Sequence, residues 1–85
     1  MAEELHVSSV VVHGRPERLE AIRAGLARLS GVEVHAAAPS GKLVVTLETT
    51  SEHEIVAHLA TISRLDGVLS ATLVFHQVEP ISDRG

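Results

Sequence analysis

"LDGVLS", residues 65–70, repeats "LSGVEV", residues 29–34, at an offset of 36 residues. Each copy closes an amphipathic stretch with Leu, then sets Gly and Val at the start of a strand-like run. The same offset aligns Leu19 with Ile55 and Leu26 with Ile62. The chain therefore carries a helix-then-strand unit twice. A further strand precedes each copy, "HVSSVVVH" (6–13) and "KLVVTLE" (42–48), so the order is β-α-β-β-α-β.

The flanking signals agree with that order. Pro16 suits the first turn of a helix, where its missing N–H is no loss. Leu19, Ile22, Leu26 and Leu29 then mark one helical face, and Gly31 stops it. Ser51 and Glu54 have the spacing of a capping box, ahead of a stripe at Ile55, Leu59 and Ile62. Asp66-Gly67 ends that helix. Ala38-Pro39-Ser40-Gly41 reads as a type I turn between the middle strands. Pairing Ala37 with Lys42 sets Val34 beside Val45 and Val32 beside Leu47, which keeps one face apolar, whereas a one-residue slip would mix the faces.

Two helices on one face of a four-stranded antiparallel sheet make an α+β, ferredoxin-like sandwich. Right-handed crossovers give the strand order 4-1-3-2. Eighty-five residues fill one such domain, with the fold expected over about 6–78 and flexible tails at 1–5 and 79–85. The helix-facing set is expected to be Val10, Val12, Val32, Val34, Leu43, Val45, Leu47, Leu69, Ala71, Leu73 and Phe75. Leu26 and Leu73 then both sit at the helix–sheet interface.

The other face is unusual. Val7, Ser9, Val11, His13, Glu33, His35, Val44, Thr46, Glu48, Ser70, Thr72, Val74 and His76 are expected there. Val11, Val44 and Val74 make an apolar patch bordered by Ser9, Thr46 and Thr72, on a face that ordinarily carries charge. An uncovered apolar patch marks an interaction surface, and a homodimer through this face is the competing use. Glu33 and Glu48 lie on the same face and supply carboxylates beside the patch.

Composition narrows the function. Net charge is −4, and setting aside Glu3, Glu4, Glu79, Asp83 and Arg84 in the chain ends leaves seven acids against six bases. One Phe, no Tyr and no Trp leave no stacking platform for bases, so nucleic acid is not an expected partner. The absence of Cys removes disulfide and thiolate chemistry. No leader pattern and no run of 18 apolar residues occurs, so a cytoplasmic chain without membrane insertion is expected. The six histidines, at 6, 13, 35, 53, 58 and 76, show no i,i+4 pair, so no metal site is expected. No catalytic constellation or phosphate loop is found, and neither an enzyme nor a cofactor is expected.

Across "SSVVVHGRPERL" (8–19), "APSGKLVVTLE" (38–48) and "LDGVLSATLVFHQ" (65–77) the chain resembles the NapD family. The resemblance covers residues 7 to 78 and implies a ferredoxin-like, cofactor-free cytoplasmic chaperone. Family members bind the twin-arginine signal peptide of the catalytic subunit of periplasmic nitrate reductase and delay its export until its cofactors are in place. A peptide with two arginines and an apolar segment matches an apolar sheet face edged by carboxylates. The peptide-binding residues expected on that ground are Ser9, Val11, Glu33, Val44, Thr46, Glu48, Thr72, Val74 and His76. A small-molecule regulatory domain of the ACT or Lrp-effector type, acting as a dimer, shares the fold and is the alternative.

Overall fold

The computed structural model describes residues 3–81. Four strands, β1 (Glu3–Gly14), β2 (Val32–Ala37), β3 (Lys42–Thr49) and β4 (Val68–Ile81), form one antiparallel sheet. Their order is β2-β3-β1-β4, which is the expected 4-1-3-2 read from the other edge. Pro16–Arg18 begins the first helical segment as a 3-10 turn, and α1 follows at Leu19–Ala27. The second helix, α2, spans Glu52–Ser63.

The repeat is visible in the backbone. Gly31 and Gly67 have φ of 78° and 95°, a region that a Cβ disfavours. Val32 N–H donates to Leu29 O at 3.3 Å, and Val68 N–H donates to Leu65 O at 3.1 Å. Each glycine thus turns a helix end into a strand by the same local bonding.

The start of α2 follows from its cap. Ser51 Oγ accepts from Glu54 N–H at 3.3 Å, while Glu54 Oε1 reaches back to the Thr50 N–H at 3.2 Å. The first bond satisfies a backbone donor that the first turn leaves unpaired, and the second ties the residue before the cap to that turn. Ser51→Ala is expected to cost about 1 kcal/mol, read as a lowered urea midpoint with an unchanged slope. An unchanged midpoint would show that the cap contributes nothing.

Val10, Val12, Ile22, Leu26, Leu43, Val45, Leu47, Ile55 and Ile62 form the core between helices and sheet. Leu19, Leu29, Val32, Val34, Leu59, Leu65, Val68 and Ala71 pack around it. The expected parity of β1, β2 and β3 agrees with this burial. Parity in β4 does not hold throughout.

Three extra residues explain the departures. Between β2 and β3, Val34 pairs with Val45 and Val32 with Leu47, as expected, but Ala36 pairs with Val44, which leaves His35 as a bulge. The hairpin closes with Ala38 N–H donating to Lys42 O at 2.8 Å and Gly41 N–H donating to Ala38 O at 2.9 Å. Its loop is therefore Pro39-Ser40-Gly41, with Gly41 at φ 102° and Ala37 opposite Leu43 instead of Lys42. The bulge at His35 absorbs the offset and keeps the valines in register.

Between β1 and β4, His13 pairs with Ser70 but Gly14 with Val68, so Leu69 is extra. Val68 turns to the core and Leu69 is 67% exposed, the reverse of the expected assignment. Val10 pairs with Leu73 and Ser9 with Phe75, so Val74 is extra as well. Beyond it the alternation is inverted: Phe75 faces away from the helices with Ser9, and His76 joins the helix side with Ser8. The expectation of His76 on the open face and Phe75 in the core is thereby corrected. Leu73 keeps its parity, yet on this outermost strand it is 40% exposed.

His6 explains where His76 goes. His6 is buried on the helix side, and its Nδ1 lies 3.0 Å from His76 Nε2. Residues expected in tails also belong to this ribbon, since Glu3, Glu4 and Leu5 pair with Ile81, Pro80 and Glu79. The remaining tail residues, 1–2 and 82–85, lie outside the described residues.

Candidate functional site

The uncovered face is built in cross-strand rows. One row runs Glu33, Thr46, Ser9, Phe75 across β2, β3, β1 and β4. The next runs Ala36, Val44, Val11, Thr72. A third places Glu48, Val7 and Gln77 together, with Glu48 N–H donating to Gly31 O at 2.7 Å beyond the end of β2. Directly opposed side chains in such rows are close enough to touch.

Of the residues expected at the site, Ser9, Val11, Glu33, Val44, Thr46, Glu48 and Thr72 share this face in adjacent rows. Val74 lies at the bulge between Leu73 and Phe75 and is 58% exposed. His76 lies on the other side of the sheet. Sequence reasoning missed Phe75, which the bulge puts in the row of Thr46 and Ser9, 53% exposed. The clue was the unbroken apolar run Leu73-Val74-Phe75, which a strictly alternating strand with one wet face does not need.

The two ends of the rows differ in charge. On the β2–β3 side Glu33 and Glu48 flank a shallow recess of about 260 Å³, lined also by Gly31, Val32 and Thr46. His35 Nε2 lies 2.8 Å from Thr46 Oγ1 and 3.9 Å from Glu33 Oε1, so the bulge swings the imidazole over the same corner. The arginine–carboxylate pairs among the described residues engage Glu17, Glu20 and Asp66, leaving Glu33 and Glu48 without an arginine. On the β1–β4 side the same face offers Val7, Val11, Thr72, Phe75 and Gln77, which carry no charge, with exposed Val74 at the bulge beside them and Glu79 beyond Gln77. Chemically, such a surface can pair a guanidinium at one corner and bury an apolar segment beside it.

No group of three metal-ligating side chains occurs among the described residues. No helix among them is long and apolar enough to cross a membrane.

Comparison with known proteins adds a second line. The family model described as NapD protein matches residues 5–80. A Paracoccus pantotrophus protein named chaperone NapD is 42% identical over 80 residues, covering 94% of this chain and 70% of that relative. The Escherichia coli chaperone NapD is 35% identical over 74 residues, covering 86% of this chain and 85% of its own. The solution structure of the E. coli Tat proofreading chaperone protein NapD superposes with a TM-score of 0.79 at 30% identity, over 95% of this chain and 83% of that one. A Pyrococcus furiosus transcriptional regulatory protein of the AsnC family gives a TM-score of 0.61 at 20% identity, over 92% of this chain and 51% of that one. That likeness is one of fold alone.

Proposed function

We propose a chaperone's role for this chain, which belongs to the NapD family. It binds the twin-arginine signal peptide of the catalytic subunit of periplasmic nitrate reductase in the cytoplasm, and it delays export until the cofactors of that subunit are inserted. The role is non-enzymatic and requires no cofactor in the chaperone itself. The P. pantotrophus and E. coli relatives are named chaperone NapD, and the superposed E. coli structure is that of a Tat proofreading chaperone.

The observation that carries the reading is the uncovered sheet face, where exposed Val44 and Phe75, with Val74 at the bulge, stand beside two carboxylates without arginine partners. A leader laid on this face buries its apolar side against Val44, Val11 and Phe75. Its guanidinium groups meet Glu33 and Glu48, where a charge-assisted hydrogen bond fixes their position. The binding residues are Ser9, Val11, Glu33, Val44, Thr46, Glu48, Thr72 and Val74, with Phe75 added and His76 removed by the register. The regulatory alternative is not favoured, because the AsnC-family likeness reaches only the fold.

Calorimetric titration with the synthetic leader peptide tests the role, and absence of saturable binding would refute it. Within it, Glu48→Gln is expected to weaken binding by about 1 kcal/mol, the scale of a solvated ion pair. The variant should also show a flatter salt dependence, because screening acts on the charge that was removed. If Glu33→Gln and Glu48→Gln both bind as the wild type at low salt, the carboxylates are not part of the site.

A further inference from the structure

The open face is not symmetric, and its asymmetry has a direction. Both carboxylates stand at the β2–β3 corner around the recess, while the face of β1 and β4 is uncharged between His13 at one end and Glu79 at the other. Along β3 itself the charge reverses: Glu48 and Lys42 sit on the same face at opposite ends of the strand. An export leader is also directional, with its basic residues ahead of its apolar segment.

We propose that the leader docks across the strands, with its arginines at the Glu33–Glu48 corner and its apolar segment running over Thr46 and Ser9 toward Phe75 and Val74. This placement rests on the chaperone reading above. A leader lying along β3 instead would meet Lys42. With its arginines at Glu48 the apolar segment would have to desolvate that ammonium group, and with its arginines at the other end like charges would face one another. The transverse course pairs both guanidinium groups with the two carboxylates that stand together and lays apolar atoms on apolar atoms, whereas a course along β4 would offer the arginines Glu79, which already accepts from Gln77.

The rows give the course a length. Glu33 and Phe75 are three strand spacings apart through Thr46 and Ser9, or about 14 Å at ~4.8 Å per spacing. A helical leader rises ~1.5 Å per residue, so the side chain over Phe75 should follow the arginines by about nine or ten residues.

Nitroxide-labelled leader peptide tests the placement, with the label at the peptide's N-terminus or at the end of its apolar segment, titrated into the full isotope-labelled chain. The N-terminal label is expected to erase the amide signals of Gly31, Val32 and Glu33 and spare those of Phe75 and Gln77. The label at the far end should do the opposite. A reversed pattern overturns the placement, and so does a pair of labels that separate along one strand, one at Glu48 and the other at Lys42. Unlabelled peptide comes first: if it shifts no amide, the chaperone reading fails and the placement with it, whereas binding with the wrong pattern refutes the placement alone.

Discussion

Leu26→Ala should lower the free energy of unfolding by about 2–5 kcal/mol, the range for truncating a buried leucine. Leu26 is fully buried in α1 and belongs to the core between helix and sheet. The loss combines the transfer energy of the removed carbons with the cavity left behind, because neighbours on β1 and β3 are held by their ladder bonds and close in only partly. A domain of this size has roughly 5–15 kcal/mol in total, so much of its stability is at stake. Leu73→Ala is the informative contrast. Alternation alone makes the two leucines equivalent, yet Leu73 is 40% exposed on the outer strand, and its loss should stay below about 2 kcal/mol. Urea denaturation of both variants decides the matter. A wild-type midpoint for Leu26→Ala would contradict its place in the core, and equal losses would contradict the partial exposure of Leu73 on β4.

Val44→Lys is expected to weaken leader binding by well over tenfold while leaving the domain folded. Val44 is 36% exposed and sits between Ala36 and Val11 in the middle of the open face. In the free protein a lysine there keeps its ammonium group in water by extending along the surface. In the complex the same charge faces an apolar segment, and an unpaired charge in a desolvated centre costs several kcal/mol. Each ~1.4 kcal/mol is a factor of ten in affinity. Val74→Glu probes the β4 side, where Val74 is 58% exposed. Calorimetry of the folded variants, with circular dichroism as the folding control, reads both. Wild-type affinity for both would remove the apolar patch from the site.

Much of this architecture is legible in the sequence because its signals are local. Gly31 and Gly67 terminate helices wherever the rest of the chain lies, and the Ser51–Glu54 cap is complete within four residues of chain. The alternation in β1, β2 and β3 identifies the two faces because both neighbours of β3 reinforce it. The extra residues at His35, Leu69 and Val74 are different in kind. Each exists only relative to a partner strand, so nothing in its own stretch compels it. His76 was misplaced for that reason: its environment is set by His6, 70 positions away. The ends of the ribbon were hidden likewise, since Leu5 and Glu79 look like tail residues until they are paired. Seven of the nine expected site residues lie before the second bulge or on other strands, and those share the open face.

The bulge at Val74 acts on the protein as a frameshift acts on a message. Between the bulges at Leu69 and Val74 β4 is read in one phase, and beyond Val74 it is read in the other. Were Val74 paired in ordinary register instead of bulged, alternation would carry Phe75 under the helices and bring His76 out to the open face. The aromatic ring would be withdrawn from the surface and an imidazole displayed in its place, with no side chain replaced. Along the far half of this strand, what a partner meets is decided by whether Val74 takes a place in the ladder or is passed over.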